Sequence, residues 1–332
     1  MRVLTVCPEL PRADCPGSMA PTARQIQSLR DCGVETEVLD MRGIPKLKYL
    51  QAIPRIRRLA KSVDLVHAHF GYCGWLSRLQ LRKPIVLSFM GSDVYGDTEA
   101  NGRPGLYSAT MSAINRKLLA RVVSAIIVKS QMMADLVAPL PTTVIANGVD
   151  IDMFRPLDRA TMRQQLGLDQ TKRYLLFPGN PENPRKGYAF AESVMQRFAQ
   201  SGHNDVELIK LWGILPEQVP VYMNACNAML MVSFAEGSPN VVKEAMACNV
   251  PVVAVPVGDV AELLTNIPGN AVRPRDAEQV FNAAAELLMD QTPSAGRQRI
   301  FDLRLDLPSV AQRVIAIYHK VLAEVGEVAT QT

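Results

Sequence analysis

Residues 228–248 read AMLMVSFAEGSPNVVKEAMAC. The apolar run from Ala228 to Ser233 has the length of a buried strand and gives way to a short loop carrying Glu236 and Gly237. Ser238 reads as the N-cap of a helix with Pro239 at its first position. On that reading the amides of Asn240, Val241 and Val242 point out of the helix N-terminus. That end attracts anions, through unpaired N–H donors and the positive end of the helix dipole. Loops at the carboxyl ends of strands are also where open α/β sheets bind ligands.

The same unit recurs along the chain. Short β-rich runs fall at 2–7, 34–40, 64–69, 84–90, 124–130 and 142–147, then at 174–179, 206–212, 228–233, 251–255 and 270–273. Helical segments separate them, clearest at 18–32, where Ile26 and Leu29 keep helical spacing and Gly33 follows as a stop, and again at 187–200, 218–226, 240–248 and 277–290. Alternating strand and helix implies parallel strands with right-handed crossovers, hence an α/β chain of two Rossmann-like, doubly wound lobes. A length of 332 residues suits two lobes better than one core. Asn147-Gly148-Val149-Asp150 is a turn signal and places the hinge, giving lobes at 1–150 and 151–307. A last apolar-periodic helix, 308–325, can pack on either lobe and is assigned here as an addition to the first.

Composition narrows the function. With 48% hydrophobic and 20% charged residues the chain is globular, and its longest apolar stretches fall far short of the roughly 18–20 residues of a spanning helix. The first residues, MRVLTVCPELP, are too short in apolar content for a secretory segment, so the expected address is cytoplasmic. Six cysteines lack C-x-x-C spacing and most sit inside apolar runs, which fits buried free thiols in a reducing compartment better than disulfides or a zinc site. There is no G-x-G-x-x-G after the first strand and no G-x-x-x-x-G-K-[ST], which argues against a nicotinamide dehydrogenase and a P-loop NTPase.

Glu236 in the loop and Glu244 about one and a half turns inside the helix flank the anion site. Carboxylates accept hydrogen bonds from hydroxyl pairs, so the arrangement suits a phosphate with sugar hydroxyls at both ends, the form of a nucleotide sugar. Either glutamate alone would read as a solvated helix or turn residue; the Gly-Ser-Pro between them changes that.

Glu236-x7-Glu244 with Ala245-Met246-Ala247 and Pro251-Val252-Val253-Ala254 resembles the signature of the retaining GT-B glycosyltransferases of family 4. The resemblance extends to Val66-His67-Ala68-His69, Gly91-Ser92-Asp93, the Asn147–Asp150 linker with Phe154, and VPVGDVAELL, and runs over residues 2 to 325. FMGSD and EGSPNVVKEAMACNVPVV are similar to the branch that includes the teichuronic acid biosynthesis glycosyltransferase. The resemblance implies that Glu236 contacts the transferred sugar and Glu244 the ribose hydroxyls. It implies that Lys186 of Pro184-Arg185-Lys186-Gly187 binds the diphosphate, and that Gly17 of Cys15-Pro16-Gly17-Ser18 lies in the loop approaching donor and acceptor. Gly179 ends the first strand of the second lobe, but Asn180 stands where the family usually has arginine, and Arg185 is assigned the missing charge. The donor set is thus Gly17, Gly179, Asn180, Lys186, Gly237, Ser238, Asn240, Val241, Val242 and Glu244, and the catalytic set Glu236, Lys186 and Arg185.

One departure concerns the histidine that many members carry before Gly-x-Asp: this chain has Met90, which cannot donate a charge-assisted hydrogen bond. Either the branch works without it, or His69 or Asp93 contributes on the acceptor side, or turnover is weak. Retention implies front-face attack, with the protein stabilising charge on the departing diphosphate. Lys186, Arg185 and the amides at 240–242 suit that task, so no metal and no cofactor is expected. Asp150-Ile151-Asp152 reads as D-x-D but falls in the linker turn and is assigned a structural role; His67-x-His69 lacks companions for a metal site.

Charge is uneven: residues 1–150 carry 19 Lys and Arg against 12 Asp and Glu, residues 151–332 carry 17 against 20. Arg42, Lys46, Lys48, Arg55, Arg57, Arg58 and Lys61 interleave with Ile44, Leu47, Leu50, Ile53, Ile56 and Leu59, an amphipathic segment that Pro54 is expected to interrupt. The plain reading is a solvated helix face; the functional one is contact of residues 42–61 with anionic membrane, where a lipid-linked acceptor would wait. Nucleic acid is disfavoured because no recognition motif accompanies the charges. The expectation is therefore a hexosyltransferase moving sugar from a nucleotide-diphosphate donor, a UDP-sugar, to a saccharide or lipid-linked saccharide in cell-envelope polysaccharide synthesis. The alternatives are a nucleotide-sugar 2-epimerase of the same fold and a non-catalytic nucleotide-sugar-binding relative.

Overall fold

The computed structural model describes the chain except residues 13, 14, 16, 45, 46, 98–102, 291 and 332, and the side chains of 328–331. Pro16 and Lys46, both named above, therefore lie outside the described residues. The chain divides into two units, the first formed by Met1–Asp97, Pro104–Gly148 and Leu307–Thr332, the second mainly by Val149–Asp306.

In the first unit the order is β1 (Arg2–Cys7), α1 (Ala20–Asp31), β2 (Glu35–Asp40), α2 (Leu47–Leu59), β3 (Leu65–His69), α3 (Gly71–Arg78), β4 (Ile85–Ser88), α4 (Ser92–Tyr95), α5 (Leu106–Lys117), β5 (Ala125–Val128), α6 (Gln131–Val137) and β6 (Thr143–Val144). The strands form one parallel sheet, β2-β1-β3-β4-β5-β6. Side chains alternate across the pleat, so the sheet feeds two cores. Leu4, Val6, Val66, Ala68 and Leu87 pack with Ile56 and Leu119 on one face. Val3, Leu65, Val86 and Ile127 pack with Leu29 and with Val310, Val314 and Tyr318 on the other. Those last three belong to the C-terminal helix, Leu307–Gln331, which settles its place: it completes the first unit. Its apolar stripe would otherwise face water.

The second unit runs α7 (Arg159–Leu166), β7 (Arg173–Phe177), α8 (Tyr188–Gln200), β8 (Val206–Lys210), α9 (Val219–Ala225), β9 (Ala228–Met231), α10 (Asn240–Ala247), β10 (Val252–Ala254), α11 (Val260–Leu264), β11 (Asn270–Val272), α12 (Ala277–Asp290) and α13 (Gly296–Asp302); the C-terminal helix is then α14. The sheet is parallel, β11-β10-β9-β7-β8, around Leu175, Phe177, Leu230, Val253 and Val280. Strand order reverses between β7 and β9, the kind of position at whose strand carboxyl ends open α/β sheets bind ligands. Where the chain enters and leaves this unit its two segments pair, Val149 N donating to Leu305 O at 2.8 Å. Asp150 Oδ1 accepts from the amides of Asp152 and Met153 at 3.1 and 2.9 Å. The D-x-D sequence thus builds a turn.

Two expectations are corrected. Residues Leu47–Leu59 form one helix through Pro54. Pro54 is exposed, so Leu50 O, which it leaves without a donor, can turn to water. The six apolar residues do not share a face: Ile56 is buried, Ile53 and Leu59 half-buried, and Ile44, Leu47 and Leu50 exposed. A strict three-residue spacing falls short of the 3.6-residue turn and walks around the helix. Most of the cysteines are buried free thiols, as expected: Cys7, Cys73, Cys226 and Cys248 are buried, while Cys15 and Cys32 are exposed.

Candidate functional site

The loops after β7 and β9 bring together three of the residues singled out in the sequence. Lys186 Nζ lies 2.8 Å from Glu236 Oε1, and Arg185 Nη1 lies 2.7 Å from Glu236 Oε2. The loops are laced by backbone as well: Phe234 N donates to Arg185 O at 2.8 Å, and Arg185 Nη1 to Ala235 O at 2.9 Å. The Glu236 side chain is only 11% exposed. Burial alone would push its carboxyl up, but the Lys186 and Arg185 charges and their hydrogen bonds outweigh that and hold it below the usual carboxylate range.

Two glycines make this packing possible. Gly179 has φ +136°, and a Cβ there would sit 3.0 Å from Lys186 Cε, so its absence lets the lysine side chain pass along the loop. A Cβ on Gly258 would come within 2.6 Å of Gly237 O and 2.8 Å of Glu236 O, so only glycine lets the loop after β10 press on the Glu236–Gly237 backbone. Asn180 spends its Oδ1 on the loop, accepting from Glu182 N at 3.0 Å. Asn183 Oδ1 accepts from Arg185 N at 3.1 Å and shapes the turn that presents both cations.

The start of α10 differs from the sequence reading. The helix begins at Asn240 with Pro239 as its N-cap, and no side chain caps it. Val242 N is committed to Pro239 O at 3.2 Å, which removes it from the free amides expected there. Ser238 faces elsewhere: its hydroxyl accepts from Lys243 Nζ at 2.8 Å and donates to Asp259 Oδ2 at 2.5 Å. Lys243 is fully buried and Asp259 nearly so. Burial pulls the lysine's pKa down and the aspartate's up, each partly opposed by the other's charge. The Lys243-Ser238-Asp259 chain therefore ties the second turn of α10 to the loop that carries Gly258, beneath Glu236. Glu244, next along the helix, is 9% exposed. Sequence reading missed Lys243 and Asp259, although both sit inside quoted motifs. Arg275 was missed too: it stacks 3.8 Å from the Phe234 ring centroid and donates to Val232 O, bracing the loop from behind.

The first-unit candidates occupy another kind of environment. Asp93 is buried, and its carboxylate accepts from Met90 N, Gly91 N and Gly71 N at 2.9, 2.9 and 3.0 Å. Burial nevertheless outweighs these amides and pushes its pKa up to about 6. Asp93 thus braces the turn after β4, and Met90 is half-buried beside it. His69 is fully buried, with neither ring nitrogen bonded among the described residues; its ring lies 4.2 Å from that of His67. Burial first, then His67 and Lys129, lowers its pKa well below the ordinary value, so it is neutral. Gly17 is exposed in the turn before α1, with nothing within 4 Å of a Cβ built on it. Among the described residues no cluster of His, Cys, Asp and Glu has metal-holding geometry.

Comparison with known proteins agrees with this architecture. The family models described as Glycosyltransferase Family 4 and Glycosyl transferases group 1 match residues 4–153 and 172–290. The chain is 25% identical over 318 residues to TuaC of Bacillus subtilis (strain 168), a protein assigned to teichuronic acid biosynthesis as a glycosyltransferase, covering 85% of this chain and 79% of that one. Sucrose-phosphate synthase from Thermosynechococcus elongatus superposes with a TM-score of 0.75 at 17% identity, covering 98% of this chain and 100% of that one. Anabaena Alr3699/HepE, solved with UDP, superposes at 0.69 and 19% identity, covering 96% and 100%. Two parallel Rossmann-like sheets, the Glu236-x7-Glu244 block that runs from the loop after β9 into α10, and two family models spanning most of the sequence have one common explanation: the chain belongs to the family 4 (group 1) glycosyltransferases of the GT-B fold.

Proposed function

We propose that this protein is a retaining hexosyltransferase that takes its sugar from a UDP-sugar and passes it to a lipid-linked saccharide during cell-envelope polysaccharide synthesis. The observation that carries the reading is the Arg185-Lys186-Glu236 cluster at the carboxyl ends of β7 and β9. A diphosphate needs cations and free amides. Lys186, Arg185 and the first amides of α10 are those groups. A sugar hydroxyl needs an ionised carboxylate, which Glu236 is across the neutral range. The UDP assignment draws on the UDP complex of HepE, and the polysaccharide context on the name of TuaC.

In this mechanism the acceptor hydroxyl attacks from the face the diphosphate leaves, and a leaving phosphate oxygen takes its proton. Arg185 and Lys186 stabilise the charge that builds on the diphosphate, and Glu244 holds the ribose hydroxyls. Two cations in fixed positions supply the electrostatic stabilisation that a divalent ion would otherwise give, so turnover should persist in chelator.

The test is release of nucleotide diphosphate from a panel of UDP- and GDP-sugars with acceptor extract, in the wild type and Glu236→Ala. The reading expects UDP release that depends on acceptor and on Glu236, with the product anomer retained by NMR. Interconversion of the donor sugar without nucleotide release would establish an epimerase, and tight binding of every donor without turnover would establish a binding protein.

A further inference from the structure

Arg275 lies in the loop after β11, far in sequence from Arg185, Lys186 and Glu236, yet it packs on the loops that carry all three. Its guanidinium donates to Val232 O and stacks 3.8 Å from the Phe234 ring centroid and 4.9 Å from that of Phe190. We infer that Arg275 is a positioning residue for sugar transfer: it clamps the loop after β9 against the loop after β7 and so sets the register between Glu236 and the cations Arg185 and Lys186. The inference rests on the transferase reading for the reaction it serves, while the clamp itself is testable without turnover.

Two contacts tie the clamp to the cluster. A Cβ on Gly187 would lie 2.4 Å from Val232 O and 3.3 Å from Arg275 Nη1. The residue next to Lys186, the carbonyl just past β9 and the guanidinium therefore meet at one point that only glycine permits. Phe234, whose ring Arg275 holds, donates its amide to Arg185 O at 2.8 Å. Arg185 Nη1 in turn donates to Ala235 O at 2.9 Å and pairs with Glu236 Oε2 at 2.7 Å. Fixing the Phe234 ring thus fixes the backbone link between the two loops, and through it where Glu236 stands relative to both cations.

The residue type supports a positioning role over plain packing. Arg275 is half-buried and has no carboxylate partner among the described residues, and its Nη1 is buried without a hydrogen-bond partner among them. A partly desolvated cation without a counter-charge is costly where packing is all that is needed. Leucine or methionine would fill the space between the two rings without that cost. Neither would bind Val232 O, and neither would hold Phe234 and Phe190 by their faces at once; a planar guanidinium does both. Phe234 is 39% exposed, so burial does little to fix its ring and the stack with Arg275 does most.

The variants are Arg275→Gln, Arg275→Lys and Phe234→Leu, with Phe234→Tyr as the conservative control. Hydrogen-exchange mass spectrometry of the unliganded protein reads the clamp in peptides covering residues 232–238. We expect exchange there to be about tenfold or more faster in the first three variants and unchanged in Phe234→Tyr. In UDP release from the donor that wild type uses in the panel above, the same three should lower kcat about tenfold or more, since loosened geometry costs rate. The KM for that donor and the Kd of UDP by calorimetry should move less than about threefold, since both cations remain. Unchanged exchange in Arg275→Gln overturns the clamp whatever the activity does. So does recovery of kcat in Arg275→Lys, which would mean action through charge alone. Loss of UDP binding in proportion to kcat also overturns it, marking Arg275 as a scaffold or a phosphate ligand. If Arg275→Gln fails to fold, Phe234→Leu and Phe234→Tyr decide by the same measurements. If wild type turns over no donor, the transferase reading falls, and exchange alone then upholds or overturns the clamp.

Discussion

Lys186 and Glu236 form an ion pair at 2.8 Å across 50 residues of sequence, and Arg185 holds the other carboxylate oxygen. Two cations suited to a diphosphate are thus engaged by the carboxylate suited to the sugar. The carboxylate competes with phosphate for the same charges. Glu236→Gln should therefore leave UDP affinity unchanged or raise it, while lowering sugar transfer by about 10²-fold or more. Lys186→Met should weaken UDP roughly tenfold to a hundredfold, the worth of a hydrogen bond to a charged group. Calorimetric titration of UDP into both variants decides. If Glu236→Gln loses UDP as badly as Lys186→Met, the carboxylate is a scaffold for the loop and not a rival of the ligand.

His67 predicts acid sensitivity. Its Nδ1 lies 2.6 Å from the Tyr318 hydroxyl and its Nε2 2.8 Å from the Ser88 hydroxyl, so it joins α14 to the middle of the first sheet. Burial first, then Lys129, lowers its pKa to about 3, and the neighbouring His69 is likewise neutral. The unfolded chain takes up a proton near pH 6.5 that the folded chain refuses, so stability is complete above that value and is lost as pH falls toward 3. Urea midpoints should drop between pH 7.5 and 5, and less steeply in His67→Asn than in wild type. Tyr318→Phe should cost about 1–3 kcal/mol at pH 7.5, because the buried ring nitrogen loses its partner. Parallel pH profiles for wild type and His67→Asn would assign the acid sensitivity to another group.

The parallel two-sheet fold was legible because most strands are apolar runs bounded by breakers, the edge strand β2 (ETEVLD) being more polar, and the structure places each of β1 to β5 and β7 to β11 within a few residues of its expected span. β6 is shorter than expected, two residues in place of six, because an edge strand is paired on one side only and ends where its neighbour does. Arg185, Lys186 and Glu236 were legible as chemistry, but their mutual pairing was not, since it depends on where strand order reverses. Ser238 misled for a related reason. A serine before a helix is a cap by local rules, and here a lysine five residues on and an aspartate 21 residues on outbid the backbone for its hydroxyl. The Arg275 clamp left no sequence trace, its members being scattered from Gly187 to Arg275.

The Lys243-Ser238-Asp259 chain should be strongly coupled. Removing one member of a buried charged pair strands the other, at about 3–5 kcal/mol. Lys243→Met and Asp259→Asn should each lower the denaturation midpoint of the second unit, and the double variant should lose clearly less than the sum. Ser238→Ala, which removes the bridge but no charge, should fall between wild type and the single charge variants. Additive losses in the cycle would show that the three residues merely share a neighbourhood. Because the chain underlies the Glu236 loop, UDP affinity should follow the same non-additive pattern.

The exposed side of α2 makes the last prediction. Opposite the buried Ala52 and Ile56, the helix and the turn before it present Ile44, Leu47 and Leu50, followed by Arg55, Arg58 and Lys61, exposed and without ion-pair partners among the described residues. Arg57 is spent, donating to Leu79 O at 2.9 Å. Apolar residues at one end and free cations at the other suit insertion beside acidic headgroups, each cation adding about 1 kcal/mol. The protein should co-sediment with phosphatidylglycerol vesicles and not with phosphatidylcholine vesicles, and salt should release it as the Debye length shortens. Changing Arg55, Arg58 and Lys61 together to Glu should lower binding by roughly a hundredfold or more. Leu47→Ser with Leu50→Ser should weaken binding without altering its salt dependence. Equal binding to both vesicle types, or indifference to the charge reversals, would leave these cations as solvated surface and move the contact with a lipid-linked acceptor elsewhere on the chain.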